Sequence, residues 1–288
     1  MCLKTFTWKN PLNKTFREQR WFELWIREAY SIRQLSQLSG HSPAKLTRIK
    51  NYWLSRFPQQ DIGYSAHPYI IYDATYFHHD GCFICLMDAR TQEIIAHTYA
   101  PKEGFKSTFP WFEKLKASGL NPLYVIMDGE LSVMRAVRLT WPKTAIQRCL
   151  YHIQREGMRW LRTYPKTQAG SELRAILSRL SAVKSFKDRD FFFELYYRWL
   201  TTHQASVHAL PNDSVATTDL KRTMTLLKNA LPDMFHYLKD PNVHHTTNAL
   251  EGFYSRLKSN YQRHRGLSKQ HRLSYLSWYC YLQNSNTF

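Results

Sequence analysis

Apolar side chains recur at helical spacing three times within the first 57 residues. From Phe16 to Ile26, Trp21, Leu24 and Trp25 fall on one face of a helix. Ser31 is placed to cap a short helix carrying Ile32, Leu35 and Leu38, and Gly40 supplies a tight turn behind it. Ser42 followed by Pro43 is an N-cap with proline at the first helical position. It opens a third helix, to about Leu54, that buries Leu46, Ile49 and Trp53. Residues 58–68 show no periodicity and read as a linker. At Tyr69 the texture changes. Tyr69 to Phe77 is β-branched and aromatic, a buried strand; His78-His79-Asp80-Gly81 reads as a solvated hairpin turn. Strands follow at Cys82–Met87 and Glu93–Tyr99, then a helix at Ser107–Lys116 with Phe109, Phe112 and Leu115 inward. Pro122 to Asp128 is a strand that stops at a carboxylate followed by Gly129. A helix from Glu130 to about Leu139 and a short strand from Ala145 to Leu150 complete the alternation.

A helix, a turn containing glycine and a second helix form the helix-turn-helix arrangement, whose second helix enters the major groove of DNA. On the third helix Lys45, Thr47, Arg48, Lys50 and Asn51 are the expected outward side chains, able to reach phosphates or base edges. Three short helices packed for stability alone would show the same apolar spacing. Farther along, three antiparallel strands, helix, strand, helix, strand is the order of a ribonuclease-H-like fold, so the expected class is α/β with a mixed (α+β) sheet. In that order Asp73 lies in the first strand, Asp128 ends the fourth, and the two strands are neighbours. Two carboxylates a few Å apart repel unless a cation lies between them, and Mg²⁺ prefers such oxygen ligands. Singly, each Asp could equally be an ordinary turn former. A third acid, Glu251, sits in the first turn of a helix whose stripe is Leu250, Phe253, Tyr254, Leu257 and Tyr261, with Thr246 or Thr247 as its cap. It is the only acidic residue between 244 and 288.

Charge sharpens the picture. The 288 residues carry 40 Lys+Arg against 22 Asp+Glu, a formal net charge of +18. Residues 67–150 hold nine basic and eight acidic side chains, while 1–66 hold eleven and four. A nearly neutral core flanked by cationic segments suits a partner made of phosphates. With 43% apolar residues the chain can fold, no apolar run is long enough to span a bilayer, and no signal peptide precedes the first helix. Five cysteines, an odd number at irregular spacing, argue against a disulfide scaffold and for a cytosolic location. Cys82-x-x-Cys85 with Cys149-x-x-His152 is formally a zinc pattern, but residues i and i+3 of a strand point to opposite faces. His244-His245, ahead of the Glu251 helix, could touch phosphate, and Glu130 could compete as a ligand had its helix not carried it away. Phe191-Phe192-Phe193 and Trp278-Tyr279-Cys280-Tyr281 read as core or subunit contacts.

Tyr72-Asp73-Ala74-Thr75, Met127-Asp128-Gly129, Cys149-Leu150-Tyr151-His152 and Thr247-Asn248-Ala249-Leu250-Glu251, with Arg265-Gly266-Leu267 downstream, follow in that order. Together they resemble the DDE transposases of the Mutator-like group and its bacterial insertion-sequence relatives, over roughly residues 67–270. Asp73 and Asp128 are 55 residues apart, and Asp128 and Glu251 are 123 apart. The resemblance implies a helix-turn-helix domain at 1–57, the linker 58–68, and the first part of the core at 69–154. It places a helical insertion at 155–242, read as helices over 170–184, 186–206 and 217–239. The glutamate helix and a C-terminal helix, 243–288, would complete the core. The longer or zinc-ribbon-like N-terminal region of many relatives is missing ahead of Trp8. By resemblance Asp73, Asp128 and Glu251 would hold two Mg²⁺ ions, with Mn²⁺ as a substitute, about 3.5–4 Å apart. Cleavage at element ends and joining to target DNA follow, with no covalent protein nucleophile. Lys258, Arg263 and Arg265 would neutralise phosphates, and the Cys149/His152 motif would organise the site or touch DNA. The implied partners are double-stranded DNA and, for synapsis, at least a second copy of the chain, in the bacterial cytoplasm or nucleoid. The alternative is a DNA-binding repressor or domesticated remnant on the same fold.

Overall fold

The computed structural model describes residues 11–59, 62–77, 80–211 and 214–284, with side chains from Arg17 onward. The readings on Cys2, on the His78-His79 turn and on the Phe16 side chain lie outside the described residues. The helices in chain order are α1 (Pro11–Arg27), α2 (Ile32–Ser39), α3 (Pro43–Leu54), α4 (Phe105–Ala117), α5 (Leu131–Thr140) and α6 (Leu150–Leu161). They continue with α7 (Gln168–Ser178), α8 (Phe186–Ala209), α9 (Val215–Ala230), α10 (Asn248–Gln262) and α11 (Lys269–Asn284). None is long and apolar enough to cross a membrane among the described residues. The chain divides into a helical unit, residues 1–62 with 251–288, and a sheet unit, residues 63–250.

In the helical unit, local chemistry fixes the helix ends. The Gln34 N–H donates to Ser31 Oγ at 3.2 Å while Gln34 Oε1 accepts from the Ser31 N–H at 2.9 Å, a capping box. Gly40, at φ 68°, closes α2 by donating its N–H to the Ser36 carbonyl. Ser42 caps α3, accepting from the Lys45 N–H, with Pro43 behind it. The buried face of α1 is Phe22, Trp25 and Ile26, with Trp21 and Leu24 only half-buried, so the stripe is rotated from the expected one. Leu38, expected inward, is 61% exposed because α2 has only eight residues and its last turn overruns the core. Residues 269–284 form α11, whose aromatic face packs on α1 and α3 within this unit. The Trp278 ring meets Phe22 and Trp53 edge-on at 5.4 and 5.5 Å, and its indole N–H donates to the Arg56 carbonyl at 2.8 Å. Tyr275 meets Trp25 at 5.5 Å. Of the aromatic cluster 278–281, Trp278, Tyr279 and Cys280 are therefore core.

The sheet unit holds β1 (Tyr69–Phe77), β2 (Gly81–Asp88), β3 (Ile94–Ala100), β4 (Tyr124–Met127) and β5 (Ala145–Arg148) in the order β3-β2-β1-β4-β5. The first three are antiparallel neighbours; β1–β4 and β4–β5 are parallel. The mixed α/β sheet expected from the element order is present. The last strand ends at Arg148 rather than Leu150, since Cys149 caps α6 and Leu150 is already helical. That helix runs across the 154/155 division drawn from sequence. The helix expected from Ser107 starts at Phe105, behind Gly104.

Helices α6 to α9 build a second core around Leu173, Leu177, Phe192, Tyr196 and Leu227. At Gly157 of α6 a Cβ would stand 2.6 Å from a Leu177 methyl, so glycine lets α6 and α7 approach. Phe192 is buried while Phe191 is largely exposed. The helix expected over 217–239 stops at Ala230 and gives way to short 3₁₀ turns at Leu231–Asp233 and His236–Leu238. Pro232 explains the stop, since it brings no N–H with which to continue the helical ladder. Buried Gln147 ties β5 to this stretch, donating to the Met234 carbonyl and accepting from the His236 N–H.

Candidate functional site

Ile71 of β1 pairs with Ile126 of β4 in parallel register. Asp73 and Asp128 each stand two residues farther on, so the pairing carries both acids to the same level, Asp73 within β1 and Asp128 just past β4, on strands about 4.8 Å apart. Both are half-buried. Asp73 Oδ1 accepts from the Ala74 N–H at 2.9 Å, and Asp128 Oδ1 accepts from the Glu130 N–H at 3.0 Å. The second bond makes an Asx turn that carries the chain from β4 into α5. Gly129 sits in that turn at φ 100°, and a Cβ there would fall 1.9 Å from the Arg148 guanidinium carbon. Glycine is thus required twice, for the backbone and for the arginine. Glu130 is taken up as the N-cap of α5, accepting from the Ser132 hydroxyl at 2.8 Å.

Two residues passed over at the sequence level belong to this region. Arg148, only 4% exposed, donates its Nε–H to the Asp128 carbonyl at 3.2 Å. Burial lowers its pKa, against Asp128 and Asp233, which favour the charge. Its signal was a lone cation closing an apolar strand. Glu103 accepts from the buried Tyr72 hydroxyl at 2.8 Å. Burial, with Asp128 and Glu130 nearby, pushes its carboxyl up to about 7 against the lowering effect of the Tyr72 bond. Nothing in Lys102-Glu103-Gly104 announces that role.

Cys149 ties β4 to the segment ahead of α10. Its N–H donates to the Met127 carbonyl at 2.8 Å, and its sulfur accepts from the Thr247 N–H at 3.4 Å and the Thr247 hydroxyl at 3.6 Å. Thr247 stands just ahead of the helix as expected, with its hydroxyl turned to the sulfur. Burial raises the thiol's pKa, but the His152 and Thr247 hydrogen bonds outweigh it and leave Cys149 below its ordinary value. His152 is half-buried in the first turn of α6. Cys82 and Cys85 are both fully buried in β2. His244 is half-buried, which lowers its pKa, and His245 is exposed.

Glu251 lies in the first turn of α10, half-buried, and belongs to the helical unit. Lys258 is half-buried on the same helix, and Arg263 and Arg265 are exposed beyond its end. Of the five α3 residues expected outward, Arg48 and Asn51 are exposed, while Lys45, Thr47 and Lys50 are half-buried. Lys50 is a correction with a clear cause: its ammonium lies over the Trp25 ring at 5.8 Å, and burial lowers its pKa. The Lys45 ammonium is 3.3 Å from the His41 ring. Among the described residues no three His, Cys, Asp or Glu side chains gather as metal ligands. Asp73 and Asp128 nonetheless supply hard oxygen donors of the kind Mg²⁺ takes.

A family model described as "Transposase, Mutator family" matches residues 83–269. The match contains Asp128, Cys149, His152 and Glu251, and Asp73 lies ahead of it. No curated protein matches the chain. Among solved structures, one similar chain is from the simian T-cell lymphotropic virus intasome in complex with PP2A regulatory subunit B56 gamma. It is 11% identical, with 69% of this chain and 64% of that chain covered, at a TM-score of 0.25. That score is too low to relate the two folds.

Proposed function

This chain belongs to the Mutator family of transposases, and we propose that it acts as a DDE-type DNA transposase, cleaving at element ends and joining them to target DNA. The observation that carries the reading is the parallel register of β1 and β4, which brings Asp73 and Asp128 to the same level just past their paired stretch. In this reading the sheet is a ribonuclease-H-like core, α6 to α9 supply most of a helical insertion, and α2 and α3 form a helix-turn-helix. Glu251 joins the two aspartates on the strength of the resemblance. Two Mg²⁺ ions, with Mn²⁺ as substitute, held by these acids would polarise the scissile phosphate and lower the pKa of attacking water.

The chain's own residues do the rest. Asp73 and Asp128 fix the donor oxygens, held by the bonds to the Ala74 and Glu130 amides. Buried Arg148 offers a cation beside the Asp128 carbonyl, where a non-bridging phosphate oxygen gains charge during attack. In hydrolysis a water oxygen bonds phosphorus as the bond to O3′ breaks, leaving a 3′-hydroxyl and a 5′-phosphate. In joining, that hydroxyl bonds a target phosphorus and displaces the target's own O3′. Arg48 and Asn51 of α3, and Lys258, Arg263 and Arg265, contribute phosphate or base contacts, with a second copy of the chain at the other end. His152 serves through Cys149.

The test is Mg²⁺-dependent nicking of double-stranded DNA carrying the element's ends. Asp128→Asn should abolish nicking and leave gel-shift binding largely intact, and undiminished nicking would remove the assignment. A wild-type chain that binds DNA but never nicks in Mg²⁺ or Mn²⁺ would instead fit the non-catalytic DNA-binding reading.

A further inference from the structure

A cavity of about 530 Å³ opens in the sheet unit directly behind Gly129. That volume falls within the roughly 300–1,000 Å³ of small-ligand sites. Its walls come from three places. Gly129, Leu131 and Arg148 stand beside Asp128, Trp160 comes from α6, and the outer wall of Thr218, Lys221, Arg222, Thr225, Leu226 and Asn229 comes from α9. Three of these residues are cations, and none is acidic.

The walls divide by chemistry. Arg148 is 4% exposed, its one hydrogen bond to protein runs from Nε, and no carboxylate lies within ion-pair distance of it among the described residues. Asp128 and Asp233 lie near enough to favour its charge, yet neither pairs with it directly, so its terminal nitrogens keep room for an anion. Elsewhere in the lining the Arg222 guanidinium lies 4.6 Å over the Trp160 ring and touches Asp219 at 3.5 Å, which braces it as a flat plate. Leu131, 66% exposed, and Leu226 add apolar surface, while Thr218 and Asn229 add hydrogen-bonding groups. An anion site and a flat, cationic, apolar-edged plate in one cavity match a phosphate with an attached aromatic base. An inorganic anion would leave the apolar walls and the plate uncovered.

We propose that this cavity is a mononucleotide site. Arg148 takes the phosphate with Lys221 adding charge, and the base lies against the outer face of the Arg222–Trp160 stack. Because the cavity starts one residue from Asp128, a strand whose phosphate sits at Asp73 and Asp128 can swing one unpaired nucleotide into it. That source of the nucleotide rests on the transposase reading, whereas the cavity's chemistry does not, and a free nucleotide would satisfy the same walls.

Two variants on the exposed side of α9 test it in the full chain without disturbing the aspartates. Arg222→Ala removes the plate, and Thr225→Trp fills the cavity while keeping every cation. The probe is a single-stranded oligonucleotide carrying 2-aminopurine, whose emission changes when its base leaves one stacking environment for another, titrated without divalent metal. Wild type should shift the emission. Each variant, with wild-type circular dichroism, should weaken that response roughly 5-fold or more, the loss expected for a stacking contact of about 1 kcal/mol. If dAMP competes the signal away, the site takes free nucleotides; if dAMP fails while the oligonucleotide stays seated, it takes a nucleotide within a strand. Wild-type affinity and emission in both variants would overturn the proposal. Nicking by Asp128→Asn reports on the transposase reading separately, since the metal-free binding measurement does not depend on cleavage.

Discussion

At the scale of single residues, the turn after β4 concentrates the constraints. Gly129 holds φ 100° and leaves the space that the Arg148 head group fills. Gly129→Ala should therefore cost about 1–3 kcal/mol of backbone strain and more from displacing the guanidinium. Pairing it with Arg148→Ala in a double-mutant cycle should recover the second part but not the first, and fully additive losses in denaturant unfolding would show that the two groups do not meet. Glu103 gives a pH-dependent counterpart. Its folded pKa of about 7 lies above the ordinary glutamate value of 4.5, so the folded chain holds this proton more tightly than the unfolded chain. Stability from this group accordingly falls as pH rises from about 4.5 to about 7. Glu103→Gln, which can still accept from the Tyr72 hydroxyl, should be more stable than wild type at pH 7.5, with the gap closing toward pH 4.5. A gap independent of pH would assign the effect to packing. Asp128 stood out in the sequence because it closes an apolar run, and Asp73 because a carboxylate inside one is conspicuous. Glu103 was not, because its partner Tyr72 lies 31 residues away.

At the scale of elements, sequence specified what adjacent residues decide. Ser31 with Gln34, Gly40, and Ser42 with Pro43 set the ends of α2 and α3 through contacts within five residues, so their chemistry could be read directly. Which way a helix faces is set by what packs on it, and that was not legible: Lys50 reads as outward until Trp25 is placed beneath it. The end of β5 was missed for a similar reason, since Cys149 and Leu150 are as apolar as a strand and become cap and helix only through the bonds to Met127 and His245. If α3 meets DNA, these orientations rank its side chains. Arg48→Ala should weaken binding and lower the slope of log affinity against log salt by about 0.9, the amount that one neutralised phosphate contributes. Lys50→Ala should leave that slope nearly unchanged and lower thermal stability instead, by uncovering Trp25. Equal salt slopes for the two variants would mean that the exposed side of α3 is not what meets the phosphates.

At the scale of the whole molecule, the two ends of the described chain share one core. Trp278 and Tyr275 of α11 pack on Phe22, Trp53 and Trp25, more than 200 residues away in sequence, and Ser274 donates to the Arg56 carbonyl at 2.7 Å. An amphipathic stripe says that a helix has a partner without saying which one, so the pairing of α11 with α1 and α3 was not legible in the sequence. A buried Trp at such a junction is worth roughly 3–5 kcal/mol against Ala, because its ring leaves a cavity that the surrounding aromatics cannot close. Its indole N–H also satisfies the Arg56 carbonyl at the end of α3, which would lose that partner. Trp278→Ala should thus lower amide-exchange protection in α1 and α3 as strongly as in α11. The β1–β4 amides that hold Asp73 and Asp128 are the internal reference for that comparison. Protection reduced in α11 alone would show that the N-terminal helices hold together without it, and the shared core would have to be redrawn.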